Sequence, residues 1–303
     1  MWMTKELEGS LSTNEKLNII QEFQTLNPYG EVVLTGGETM KKYDEFFALS
    51  KKCLELNLIC SANTNASYID STNLDRLLTE GPKYLVISLD SHIESIHDFS
   101  RGIKGSYQHI LSVIENLVNL KQTKNSPTEI ITNSVLFEEN IYELQKFISF
   151  IENIGIDGAI FQMLSRTFYK KSSQDYFFEK HFFKDKIKAI EQIQSVIDIV
   201  DNHPIVRTTK QDFDWMKLYI ENPDFIGEQV CGSHEKNIMI NSYGEIQLCF
   251  NMKKINNGKS LGNIRDFKNG LSGLWTSDEA NNVREIMENC RLNCGMLNCH
   301  RKN

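Results

Sequence analysis

The chain reads as an α/β protein: a parallel sheet, open or barrel-like, followed by a small cysteine-bearing extension. Two observations carry this reading. Five short apolar strands alternate with amphipathic helices up to about residue 163, the signature of β/α units around a parallel sheet. Beyond them, five of the seven cysteines fall between Cys231 and Cys299.

The elements follow in order. Ser12-Thr13-Asn14-Glu15 is a capping box that opens a helix with Leu17, Ile20, Phe23 and Leu26 on its apolar side, and Asn27-Pro28-Tyr29-Gly30 ends it. Val32-Val33-Leu34 is wholly apolar, as in a strand buried on both faces. Thr35-Gly36-Gly37-Glu38 follows at its carboxyl end, and the next helix turns Tyr43, Phe46, Phe47 and Leu54 inward. Leu58 to Thr64, Tyr84 to Asp90, Glu129 to Leu136 and Ala159 to Met163 are strands. Helices fill the gaps from Ser71 to Leu78, from Tyr107 to Leu120, and from a cap at Asn140 and Glu143 to about Ile154, where Gly155 stops the turn. Functional groups in such a fold sit at the carboxyl ends of the strands.

The pattern breaks at residues 165 to 185, an aromatic and charged stretch that is either a surface connection or a loop shaping a substrate cleft. Helices from about Lys184 to Val200 and from Asp212 to Glu221 lead to a boundary between Asn222 and Gln229. Residues 1–225 and 226–303 are therefore read as two domains.

Composition narrows the function. The chain has 303 residues, 40% hydrophobic and 24% charged, with a net charge of −7, so nucleic acid is not an expected partner. It has no apolar run long enough for a membrane span. Met1-Trp2-Met3-Thr4-Lys5-Glu6 lacks the basic and apolar regions of a secretory signal, so reduced thiols and a cytoplasmic location are expected.

Cys231 is followed by twelve residues, Gly244, four residues and Cys249; forty more lead to Cys290, Cys294 and Cys299. The segment from Asn237 to Leu248, with its Ser-Tyr-Gly turn, reads as a β-hairpin that returns Cys249 toward Cys231. A disulfide set, a tetrahedral zinc site and an iron–sulfur cluster all suit such thiols. Cys53 reads as a core thiol on its helix, and Cys60 as a packing residue within its strand.

Gly36-Gly37-Glu38 serves either a tight strand-to-helix turn or close approach of a ligand, with the carboxylate binding an ammonium group. Ser88-Leu89-Asp90 ends a later strand, and His97-Asp98-Phe99-Ser100-Arg101-Gly102 follows in its loop; Asp90 and His97 are turn or capping residues, or part of a site.

Taken as a set, Leu34 to Glu38, Asn63-Thr64-Asn65, Ile87 to Asp90, and His97-Asp98 with Arg101-Gly102 resemble the core of radical S-adenosylmethionine enzymes. Cys231, Gly244, Cys249, Leu261 to Ile264, Leu274-Trp275, Arg284 and the last cysteines resemble their SPASM or twitch extension. The resemblance covers nearly the whole chain. It implies a partial (β/α)6 TIM-like barrel lacking its first strand. It also implies an auxiliary [4Fe–4S] cluster on four of Cys231, Cys249, Cys290, Cys294 and Cys299. S-adenosylmethionine would be held at its ammonium by Glu38 and the backbone of Gly36 and Gly37, with Ser88 and Asp90 placing the ribose or carboxylate and Arg101 pairing with a carboxylate. A 5′-deoxyadenosyl radical would then abstract hydrogen from a peptide or small-molecule substrate, for oxidation, epimerisation or another modification, with flavodoxin or ferredoxin as reductant.

The family's C-x3-C-x2-C loop is missing. A second, radical-generating [4Fe–4S] cluster is expected only if those cysteines lie upstream, in a longer form of the chain; a degenerate relative with a zinc or iron–sulfur binding role is the competing explanation. Thr39 stands where proline is usual, and Ala66 where glycine is frequent.

Overall fold

A computed structural model describes residues 9–166, 175–224, 232–251 and 259–290. The chain forms two compact units. One comprises Glu31–Leu164 and Lys180–Glu221, and the other Met1–Gly30, Ser165–Glu179 and Asn222–Asn303.

The first unit holds a five-stranded parallel sheet in sequential order: β1 (Glu31–Leu34), β2 (Ile59–Thr64), β3 (Tyr84–Ser88), β4 (Glu129–Leu136) and β5 (Gly158–Met163). Between them run α2 (Tyr43–Glu55), α3 (Leu74–Thr79), α4 (Glu94–Arg101), α5 (Ser106–Lys124) and α6 (Leu144–Asn153). After β5, α8 (Lys186–Ile199) and α9 (Lys210–Glu221) complete the unit. This is the α/β architecture the alternating pattern predicts.

Because strand side chains alternate, the register sorts the sheet into two faces. Cys60, Ala62, Leu85, Ile87, Ile130, Leu136, Ala159, Phe161 and Met163 are all buried on one of them. The other buries Ser61, Val86 and Ile131 nearer its amino ends and, toward the carboxyl ends, carries Val33, Asn63, Ser88, Asn133, Val135 and Gln162, which are half-buried or exposed. An apolar face against helices and a polar face opposite is the arrangement in which ligands bind over the sheet.

Several details depart from the sequence reading. β1 is an edge of the sheet, so Val33 is 48% exposed instead of buried on both sides. On α2 the inward positions are the pairs Phe46-Phe47 and Leu49-Ser50 and then Cys53, each step three to four residues on, while Leu54 lies one residue round the helix and is exposed. β3 ends at Ser88 instead of Asp90, and the stretch expected as its loop contains the helix α4. Its core-facing residue is a histidine, so no apolar stripe announces it. Gly102, at φ +67°, closes it in the left-handed conformation. α5 then starts after Gly105, which has no capping side chain; Asp98 supplies one, accepting from the backbone N–H of Gly105 and Tyr107 and from the Ser106 hydroxyl. Those bonds hold the Asp98 carboxyl below its ordinary range.

The second unit gathers α1 (Thr13–Leu26), α10 (Ser233–Lys236), α11 (Gly270–Trp275), α12 (Asp278–Glu288) and an antiparallel pair, β6 (Met239–Ile240) with β7 (Ile246–Gln247). The short α7 (Tyr176–His181) runs across the boundary between the two units in sequence. β6 and β7 are the predicted hairpin. Gly244, at φ +86°, makes its turn, and a Cβ there would collide with the Asn263 side chain. The core of this unit is Leu11, Ile246, Leu248, Leu261, Ile264, Leu271, Leu274, Ala280, Val283 and Met287, with Ile19, Phe23 and Leu26 of α1 against it. The compact unit thus joins α1 to the C-terminal segment, whereas the sequence reading separates them at residue 225. The N-cap of α1 explains how. Ser12 and Glu15 form the predicted capping box, and the Glu15 carboxylate also receives Arg265 Nε at 2.6 Å and Nη2 at 3.1 Å. Arg265 donates further to the carbonyls of Gly9 and Ser10.

The Arg265 guanidinium, followed by the Ser12 hydrogen bonds, lowers the Glu15 carboxyl from 4.5 to about 2. A depressed carboxyl stabilises the fold above its unfolded value, and that contribution is lost as pH falls toward the folded value. In a carboxyl NMR titration Glu15 should show a midpoint near 2, and Glu15→Gln should lower the melting temperature at pH 7 and do so far less at pH 2. A midpoint near 4.5 contradicts this assignment.

Candidate functional site

The polar sheet face ends in two charged groups at its carboxyl edge. At β1 and β2, Gly36 (φ +94°) and Gly37 (φ +56°) adopt a conformation that L-residues avoid. A Cβ on either would meet nothing within 4 Å, so the turn requires glycine for its backbone angles, and the space beside it is open. Glu38 follows. Its Oε1 accepts from Thr64 Oγ1 at 2.7 Å and the Met40 N–H at 3.1 Å, and its Oε2 from the Asn65 N–H at 2.8 Å. Oε2 thus has one protein donor and keeps acceptor capacity for a further cation. Thr39 Oγ1 donates to the Asn63 carbonyl at 3.0 Å, a bond that proline could not make. Ala66 takes φ +61° in place of a glycine, fixed by Thr64 Oγ1 at its N–H and His109 Nε2 at its carbonyl.

At β3 and β4 the second group is Arg101. Its Nη2 lies 2.6 Å from Asp90 Oδ1, and its Nε is buried without a hydrogen-bond partner among the described residues. Asp90, expected beside a ligand, is only 3% exposed. Its Oδ1 also accepts the Val135 N–H at 3.0 Å, and its Oδ2 the Ser100 hydroxyl at 2.6 Å. Asn140, expected as a helix cap, instead bridges loops: its Nδ2 donates to the Asp90 and Val135 carbonyls and its Oδ1 accepts the Phe137 N–H. Ser88 lies one strand step before Asp90, opposite Asn133 in the register, and half-buried. Asn133 Oδ1 is buried and has no hydrogen-bond partner among the described residues. Asn133 and Gln162, on the same face, escaped the sequence reading; the alternation of β4 and β5 with the register of their neighbours would have pointed to them.

A partly exposed guanidinium fixed by Asp90, a carboxylate with spare capacity and two open glycines are a donor and acceptor set that fits the zwitterionic methionyl end of S-adenosylmethionine. Asp90 has as many donors as Glu38 but is buried where Glu38 is half-buried, so its carboxylate supports this set from beneath.

The cysteines divide. Cys53 and Cys60 are both 0% exposed, on α2 and β2, as a core thiol and a packing residue should be. Their mutual hydrogen bond and burial raise the Cys53 thiol and keep it protonated. Cys249 is half-buried against the core of the second unit, its sulfur accepting the Asn251 N–H at 3.1 Å, and Cys290 follows α12. Cys231, Cys294 and Cys299 lie outside the described residues, as does any proximity of Cys231 to Cys249. The thiol chemistry of the set suits a [4Fe–4S] cluster.

His97, expected in a turn or cap, is fully buried on α4 with its Nδ1 accepting the Asp90 N–H at 3.2 Å. Burial lowers its pKa from 6.5 to about 4; Arg101 acts in the same sense, and Asp90 and Asp98 oppose it. The neutral ring is the form the fold favours. Its contribution to stability is complete above about pH 6.5 and falls away as pH drops toward 4. Histidine NMR should find His97 titrating near 4; a midpoint at or above 6.5 contradicts the buried neutral ring.

Comparison with known proteins fits this geometry. The radical SAM superfamily model matches residues 3–151, and the iron–sulfur cluster-binding SPASM domain matches residues 231–299. The AdoMet-dependent heme synthase of Oleidesulfovibrio alaskensis is 27% identical over 153 residues, 50% of this chain and 37% of that protein. Pre-heme d1 synthase of Dinoroseobacter shibae is 25% identical over 147 residues, 47% of this chain and 34% of its own. The matched region is thus about a third of the length of these relatives. Streptococcus suis SuiB bound to S-adenosylmethionine superposes over 97% of this chain and 68% of its own, with a TM-score of 0.67 at 15% identity. Native anSMEcpe with bound AdoMet and Cp18Cys peptide superposes over 88% of this chain and 73% of its own, with a TM-score of 0.60 at 17% identity. Those superpositions establish a shared fold. The two domains imply S-adenosylmethionine and [4Fe–4S] clusters as cofactors. The chain belongs to the radical SAM superfamily and carries a C-terminal SPASM domain.

Proposed function

We propose that the polar sheet face binds S-adenosylmethionine for an enzyme that removes hydrogen from an organic substrate, with an auxiliary [4Fe–4S] cluster in the C-terminal segment. The observation that carries the reading is the pair of prepared charges at the carboxyl edge of one sheet: Glu38 with spare acceptor capacity, and Arg101 held by Asp90 with its side chain still partly exposed. Glu38 and the Gly36 and Gly37 backbone take the ammonium. Arg101 takes the carboxylate. Ser88, with Asn133 opposite, offers hydrogen bonds to the ribose. When bound beside a reduced cluster, S-adenosylmethionine supplies a 5′-deoxyadenosyl radical, and the chain's part is to orient and shield that chemistry.

Two substrate classes have support. The heme-synthase names of the relatives favour oxidation of a small molecule. SuiB has also been solved bound to its precursor peptide SuiA, at a TM-score of 0.66, which favours peptide modification. Flavodoxin or ferredoxin is the proposed reductant. Four of Cys231, Cys249, Cys290, Cys294 and Cys299 are the proposed ligands of the auxiliary cluster. A second reading, a metal-binding relative without catalysis, draws on the absence of C-x3-C-x2-C from these 303 residues.

These 303 residues, reconstituted anaerobically with iron, sulfide and reductant, are expected to yield no 5′-deoxyadenosine, and its appearance would refute the need for that motif. The same preparation should contain iron and sulfide in the C-terminal segment, lost on Cys249→Ala; stoichiometric zinc without sulfide would overturn the cluster. Glu38→Gln should weaken S-adenosylmethionine binding by about 1.5 kcal/mol, the lower end for a charge-assisted hydrogen bond because the site is only half-buried. Calorimetry with equal affinities for both forms removes Glu38 from the site.

A further inference from the structure

We propose that Asp90 is a positioning residue for cofactor binding, acting only through Arg101. The inference rests on the reading that this sheet face takes S-adenosylmethionine. It assigns Asp90 a task different from direct contact with the cofactor.

Three observations carry it. The first is burial of a carboxylate that is paired on both oxygens. Asp90 Oδ1 receives Arg101 Nη2 at 2.6 Å and the Val135 N–H at 3.0 Å, while Oδ2 receives Ser100 Oγ at 2.6 Å. At 3% exposure the carboxylate has little surface left to offer a ligand. The second is rigidity of the support. The Asp90 N–H donates to His97 Nδ1, the Asp90 carbonyl accepts Asn140 Nδ2, and the Leu89 carbonyl accepts the Ser134 hydroxyl at 2.5 Å. Backbone and side chain of Asp90 are thereby tied to β4, to the loop after it and to α4. The third is what remains unused. Arg101 gives one N–H to Asp90, and its Nε stays buried with no acceptor among the described residues. A guanidinium fixed at Nη2, on a side chain that stays 24% exposed, can present its remaining N–H groups to a carboxylate in a defined direction.

The location agrees. Ser88 is in register with Asn133, and Val135, whose N–H Asp90 holds, is the next residue of β4 on that same face. Arg101 is therefore anchored one strand step beyond Ser88, at the carboxyl edge where Glu38 also stands. Without Asp90 the arginine would have no fixed partner on this edge and would lose rotamer entropy on meeting the ligand.

The test compares two ligands by calorimetry on the 303-residue protein: S-adenosylmethionine, and 5′-deoxyadenosine, which has no carboxylate. Asp90→Asn should weaken S-adenosylmethionine binding roughly tenfold, the scale of one charge-assisted hydrogen bond, and leave 5′-deoxyadenosine binding unchanged. In an Arg101→Lys background the Asp90→Asn change should lose most of its effect. Ser100→Ala, a milder change on the other oxygen, should weaken S-adenosylmethionine selectively in the same direction, and serves where Asp90→Asn fails to fold. Equal weakening of both ligands would mean a purely structural role and overturn the proposal, as would undiminished S-adenosylmethionine affinity in Asp90→Asn. If the unaltered protein binds neither ligand, the sheet-face reading itself fails and takes the inference with it.

Discussion

A carboxylate with little exposure must find partners for both oxygens, since an unpaired buried charge costs several kcal/mol. Asp90 meets that requirement with a guanidinium, a hydroxyl and a backbone N–H. Much of the carboxyl edge of the sheet is arranged by meeting it. The α4 helix has to place Ser100 and Arg101 on one side. His97 has to be neutral to accept the Asp90 N–H. Asn140 has to turn back from the next loop to reach the Asp90 carbonyl. The same bonds that satisfy the charge leave Arg101 fixed and incompletely paired. Stability and ligand readiness here have one physical origin.

Glu38 follows a related logic at the other side of the face. Its donors come from its own turn and from β2, so the carboxylate is in place before a ligand arrives. Preformed polar groups save the ordering entropy that flexible ones lose on binding. Between the two charges the carboxyl end of the face carries neutral polar side chains, Asn63, Ser88 and Asn133, one from each of three neighbouring strands and brought to one side by the register. A neutral floor between opposite charges suits a molecule with a zwitterionic end and a hydroxyl-rich body.

Much of this was legible in the sequence. The five strands and their order follow from apolar runs punctuated by helices, and the Ser12–Glu15 cap and the hairpin around Gly244 follow from local chemistry. The glycines and Glu38 could be singled out because they end a strand. What stayed hidden depended on tertiary partners. α4 presents a histidine inward, so its periodicity is silent. Asn140 looks like a cap until the Asp90 carbonyl is beside it. The pairing of Asp90 with Arg101 spans eleven residues and cannot be told in sequence from two independent ligand contacts. The edge position of β1 and the partnership of α1 with the C-terminal segment likewise depend on contacts that no local pattern encodes.

The central claim is that the carboxyl edge of the parallel sheet receives S-adenosylmethionine. Hydrogen-exchange mass spectrometry with and without that compound tests it most directly. Protection concentrated in peptides covering Thr35–Asn65 and Ser88–Arg101, with the buried face of the sheet unchanged, is the expected result. Protection confined to the C-terminal segment, or none at saturating ligand, would contradict the account.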